Sequence, residues 1–309
     1  MLRPIALSMS VVFATVVSAG CDLTKIAVNS TSKVLAKAQP SLKMEADYDM
    51  AARAIPGALK TVEGFHVANP ENELLVAILA EGYCQYATGF IEDEFEIAEM
   101  KGDFDGADYH GQRATKAFLR CMGYGLEMLG GKWEQAILGT FDDVEALAKK
   151  AGKSKRDGMF WVANGLAGAI NYNKDDVTMV AHLSKARALF DRVAEIDAKK
   201  PPKDPAKHAL PQVALGMVNT ALPEALGGKP KIGAEHFMNA MKITKDRFLL
   251  AKVLYARRYA VAVQDRDLFR KTLIEVLQTD PAIWPEQRLA NEIAHRRARR
   301  YLKQEKEWF

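Results

Sequence analysis

Reactive signatures are what this sequence most clearly lacks. No stretch reads HExxH or GxSxG, and the histidines at 66, 110, 182, 208, 236 and 295 never pair at a metal-ligand spacing. The sequence therefore gives no metal, cofactor or catalytic residue to expect, and a non-enzymatic protein is the working expectation. Cysteine is scarce, with three among 309 residues, so the chain is no disulfide-dense scaffold. Strand signals are equally thin. Runs of Val, Ile and Thr are few, and no segment alternates convincingly with period two. The net charge of +4 is too small a bias to imply a nucleic-acid partner.

The apolar run Ile5–Val17 is too short to cross a bilayer core of about 30 Å as a helix. Preceded by Arg3 and followed by small residues, it reads as the apolar stretch of a signal peptide over 1–20. Ser18-Ala19-Gly20-Cys21 resembles a bacterial lipobox, with Ser18 where Leu is usual. Cys21 is the expected acylation site, palmitate-type chains included, and each buried methylene would contribute about 0.8 kcal/mol of membrane affinity. The alternative is an ordinary cleaved signal followed by an incidental cysteine. The expected location is a bacterial membrane facing the periplasm, and Asp22 favours the inner one.

From there onward the chain reads as helix after helix. Residues 21–44 are expected to be a lipid-anchored tether and first helix, and 45–309 a single all-helical domain. Apolar periodicity predicts helices over 45–68, 71–100, 105–129, 133–150, 158–171, 175–197, 206–222, 230–243, 246–263, 265–279 and 284–305. Gly233, Phe237 and Ala240 carry the small–aromatic–small spacing of the second helix of a tetratricopeptide (TPR) unit, and Pro70, Pro201 and Pro281 close helices. The expected fold is all-α: antiparallel helical hairpins in a TPR-like or α-solenoid bundle. Cys84 and Cys121 flank the turn at Gly102-Asp103 almost symmetrically. They are either bridged across that hairpin or, the commoner outcome, two small buried hydrophobes on separate faces.

Three stretches invite a functional reading. Gly227-Gly228-Lys229 suggests a phosphate loop, but Pro223 stands where that loop needs its first glycine and Pro230 where it needs Ser or Thr. A turn between two helices is the better reading. Ser30–Lys33 matches a bare SxxK by chance. Glu92, Asp93, Glu94 and Glu96 read as a solvated helix face. So do the arginines of His295–Arg300, which are expected to lie outside the buried stripe Ala290, Ile293, Ala294, Ala298 and Tyr301; a partner-docking or lipid-facing patch is the alternative there. Tyr83, Tyr86, Phe90, Phe160, Trp161, Tyr255 and Tyr259 lie on apolar helices. They should be mostly core, yet they are the residues that would line any apolar ligand cavity between hairpins.

Several blocks together resemble one family. They are KIAVNSTSKVL (25–35), NPENELLVAILAEGYCQYATGFIEDE (69–94), RATKAFLRCMGYGLEML (113–129), FWVANGLAGAINYNKDD (160–176), LPEALGGKPKIGAEHFMNAMKIT (222–244), FLLAKVLYARRYAVAVQDRDLF (248–269) and RLANEIAHRRAR (288–299). With the lipobox, they are similar to the T-component family of TRAP-associated transport systems. The resemblance implies a helical TPR-like periplasmic lipoprotein with no enzymatic role. It further implies assembly as a homotrimer, association with the periplasmic solute-binding protein of a TRAP system, and shelter or passage for a hydrophobic ligand. No family motif fixes ligand-contacting residues. A general TPR-like scaffold for envelope assembly is the rival reading.

Overall fold

A computed structural model describes residues 23–222, 224 and 227–309. Cys21 and Asp22, on which the anchor expectation rests, lie outside the described residues. All regular structure among the described residues is helical, as the missing strand periodicity foretold.

The helices follow one another as packed hairpins. The chain opens with α1 (Leu23–Lys43) and α2 (Tyr48–Ala68). Next, α3 (Glu73–Tyr86), a π-helical turn (Ala87–Ile91) and α4 (Glu92–Lys101) form one long rod. By length and composition this rod could cross a membrane, yet most of its apolar window is buried in the protein. Gly102 turns it back at φ +69°, a left-handed conformation open to glycine. Asp103 then caps α5 (Phe104–Leu129). Further along come α6 (Gly131–Leu138), α7 (Phe141–Lys150), α8 (Arg156–Asn171), α9 (Val177–Ala181) and α10 (Leu183–Lys199). The chain ends with α11 (Pro205–Asn219), α12 (Pro230–Thr244), α13 (Leu249–Leu254) running into a second π turn (Tyr255–Ala260), α14 (Arg266–Gln278), α15 (Arg288–Lys303) and α16 (Glu305–Trp308).

Three boundaries differ from expectation, and at the first hydrogen bonding explains the difference. The helix expected over 133–150 splits at Gly139-Thr140. The buried Lys185 ammonium donates to the Ile137 and Gly139 carbonyls at 2.7 and 2.6 Å, satisfying the end of α6. Thr140 and Asp143 form a reciprocal capping box that starts α7. The helix expected over 175–197 breaks at His182. The one expected from 284 begins only at Arg288, after two short 3₁₀ turns.

The largest core cluster joins α3, α5, α8 and α10 through Leu75, Leu79, Phe118, Phe160, Leu189 and Phe190. Small residues let α5 and α8 approach closely. A Cβ on Gly165 would lie 2.6 Å from both the Met122 nitrogen and the Phe118 carbonyl oxygen, and one on Gly125 2.8 Å from the Val162 nitrogen. The TPR-like spacing operates in α11–α12. Gly233 approaches the Gly216 carbonyl, Phe237 is fully buried against Gly216, and Ala240 is fully buried. The Gly-Gly-Lys stretch is a turn: Gly227 sits at φ +88°, the Lys229 amide donates to the Asn219 carbonyl at 2.7 Å, and Pro230 opens α12. Cys84 and Cys121 are joined by a disulfide. This overturns the expectation that separate burial was the commoner outcome. The return of α5 along α3 sets the two Cα atoms 5.4 Å apart, within bridging range.

Candidate ligand cavity and the ion cluster that walls it

An apolar cavity of about 330 Å³ opens between α1, α2, α3, α8, α11 and α15. Three of the candidate aromatics line it: Phe90 from the first π turn, and Phe160 and Trp161 from α8. Ala77, Ile78 and Ile293 complete much of its apolar wall. A π turn carries an extra residue per turn and re-aims the side chains that follow it; here it brings Thr88, Gly89 and Phe90 to the wall. One end is polar but fully committed. Arg156 donates to Asp197 at 3.1 and 2.6 Å and to the Lys207 carbonyl at 2.7 Å, while Lys207 pairs with Asp157 at 2.6 Å. This end can orient a polar tip without leaving a bare charge in the apolar part.

The other four candidates lie elsewhere. The Tyr83 hydroxyl accepts from Arg120 at 3.2 Å, and its ring stacks on Tyr124 with centroids 6.0 Å apart. Burial, then the nearby Glu63, push its phenol up to about 12. Tyr86 accepts from Arg113 at 3.3 Å, beside the cavity wall rather than in it. Tyr255 and Tyr259 stack on each other at 5.2 Å in the second π turn, with Tyr255 edge-on to Phe237. These four satisfy their polar tips or pack on neighbours outside the cavity.

Most of the acidic and basic runs, expected to be solvated faces, are instead buried against each other; Glu94 and Arg299 stay exposed as expected. Asp93 and Arg297 are essentially inaccessible, and Arg300 and Glu92 nearly so. Asp93 accepts from Arg296 at 2.6 Å, from Arg300, and from the Tyr48 hydroxyl at 3.1 Å. Glu92 accepts from Arg297 at 3.0 Å. Glu96 accepts from Arg300 and, at 2.8 Å, from the Tyr301 hydroxyl. Arg297 also reaches the Thr88 carbonyl in the π turn. Burial alone would raise the Asp93 carboxyl, but Arg300 and Arg296 outweigh it and hold it below the usual carboxylate range. The cause of the misreading is specific. Consecutive acids on one helix do diverge, but α15 presents bases at 296, 297 and 300 and α4 presents acids at 92, 93 and 96. Both sets are spaced i, i+1, i+4, and this match was the signal available in the sequence.

Comparison with known proteins fits this architecture. A family model described as TRAP transporter T-component matches residues 44–309. An uncharacterized protein of Treponema pallidum (strain Nichols) is similar at 22% identity over 300 residues, covering 91% of this chain and 90% of its own length. The match over nearly all of the helical domain shows that the chain belongs to the TRAP transporter T-component family.

Proposed function

We propose that this accessory component of TRAP-type uptake shelters an apolar ligand in the 330 Å³ cavity while docked to a periplasmic solute-binding protein. Acylation at Cys21 would hold it on a membrane facing the periplasm, where the anchor raises its local concentration beside the permease. A homotrimer is the assembly expected from the resemblance. The observation that carries the ligand reading is a concave, largely apolar wall that includes Phe90, Phe160 and Trp161, with Arg156, Lys207 and the Lys43–Glu81 pair among its charged groups held in ion pairs. This is the lining expected for an apolar ligand with a polar tip. No catalytic step is needed in this role, and none is assigned.

Titration with the neutral fluorophore N-phenyl-1-naphthylamine tests the cavity. Saturable binding is expected, and Ala77→Phe, which fills the cavity from α3, should weaken it at least tenfold. Equal binding by the variant would sink the cavity reading. Purification from native membranes tests the partnership. Recovery of a solute-binding receptor supports it, whereas recovery of barrel-assembly proteins favours the scaffold alternative. Cys21→Ala should move the protein from the membrane to the soluble fraction.

A further inference from the structure

A second cleft, of about 580 Å³, shares a wall with the first cavity. Arg297 joins Thr88, which lines the apolar cavity, to Glu92, which lines this cleft. The cleft is bounded by α4, the end of α8, the second π turn and the α15–α16 corner. Its chemistry is the opposite of the first. Glu92 and Glu96, two of its acids, are neutralised from behind by Arg297 and Arg300. Arg257 and Arg258, both half-buried on the π turn, form no ion pair with any carboxylate of the described residues. Arg258 Nε is buried without a hydrogen-bond partner, and so is the hydroxyl of Tyr172, which lines the cleft from the end of α8. Arg257 lies over the Trp308 ring, its guanidinium carbon 4.0 Å from the ring centroid. Burial, and then the neighbouring Arg258, depress its affinity for its proton. The remaining charges, Lys174, Glu99, Asp175 and Glu307, are of mixed sign, exposed at the rim and open to screening by solvent.

Two adjacent guanidiniums without an ion pair and an unsatisfied hydroxyl share one space, whose buried acids Glu92 and Glu96 are already taken by Arg297 and Arg300 and whose other carboxylates stand at the rim. An anion supplies what is missing. A guanidinium fork matches a carboxylate through two parallel N–H···O bonds. The Trp308 ring, 4.0 Å from the Arg257 guanidinium carbon, restrains one such fork. Phe95, Tyr172 and Trp308 add aromatic surface, so the space suits an anion with an apolar body better than a bare inorganic ion.

We propose that this cleft binds a small organic monocarboxylate with a compact apolar body, its carboxylate held by Arg257, Arg258 and the Tyr172 hydroxyl. Isothermal titration of the purified chain with benzoate at low ionic strength tests this. Saturable binding is expected, and Arg258→Gln and Arg257→Gln should each weaken it at least tenfold, with Arg258→Lys intermediate. Urea midpoints of the variants identify any that fail to fold; Tyr172→Phe, which removes only the hydroxyl, should still weaken binding several-fold. Ala77→Phe, which fills the apolar cavity, should leave benzoate binding unchanged, so this proposal and the apolar-ligand reading fail separately. Absence of saturable benzoate binding would overturn the assignment. So would binding that survives both arginine substitutions but is lost in Ala77→Phe, or inorganic phosphate binding as tightly as benzoate.

Discussion

Replacing Asp93 by Asn should destabilise the fold by about 3 kcal/mol at neutral pH. The change is isosteric but removes the charge on which Arg296 and Arg300 converge. Breaking a buried pair by deleting one partner costs about 3–5 kcal/mol, because the other charge is left desolvated. The lower end applies here. Arg300, 5% exposed, keeps Glu96, and Arg296, 39% exposed, can regain water. The loss should also depend on pH, with a fixed sign. The Asp93 carboxyl is held below its ordinary value in the folded state, so its stabilisation is complete above an unfolded-state pKa of about 3.9 and is lost as pH falls through the lower folded-state value. Urea unfolding of wild type and Asp93→Asn should therefore show a wide gap at pH 7 that narrows below about pH 4. Adding Arg300→Met completes a double-mutant cycle, with coupling of about 1–3 kcal/mol expected between groups in one network. A loss below about 1 kcal/mol at pH 7, the range of exposed pairs, or a gap that widens in acid, would refute the reading of this cluster as a buried clamp.

Two further substitutions probe the packing. Removing the disulfide as Cys84→Ala with Cys121→Ala frees a loop spanning 37 positions, for which chain entropy gives about 4 kcal/mol; an unchanged urea midpoint relative to the reduced wild type, with a clear drop relative to the oxidised one, is the expected result. Gly165→Ala should cost about 3 kcal/mol, since its Cβ would meet backbone atoms of α5 at 2.6 Å and backbone yields poorly. Gly123→Ala on α5, where nothing lies within 4 Å of the added Cβ, should instead gain about 0.5–1 kcal/mol from helix propensity. Thermal unfolding of the two variants side by side checks both signs.

Local signals carried far in this sequence. Helical periodicity, the turn at Gly102-Asp103, the Gly227 turn and the Gly233–Phe237–Ala240 spacing each report a backbone choice made within a few residues, and each has its counterpart in the structure. What escaped was set by partners far along the chain. Glu92 and Arg297 are ordinary surface residues until a helix 205 positions away covers them. Nor does periodicity distinguish an aromatic that fills a core from one that walls a cavity. Phe90 and Phe160 face the opening, while Tyr83, with the same helical spacing, ends on Arg120. The break at Gly139 depended on Lys185, an ammonium that no local reading of 133–150 could supply.

The π turn at Ala87–Ile91 has a consequence for insertions and deletions in this rod. One residue of an α-helix is worth about 100° of rotation. The apolar stripe of Leu75, Leu79 and Tyr83 and the carboxylates of 92, 93 and 96 therefore keep their separate bearings only because the wide turn absorbs the phase between them. Excising a single residue there would swing the acids away from Arg296, Arg297 and Arg300 or unseat the core upstream.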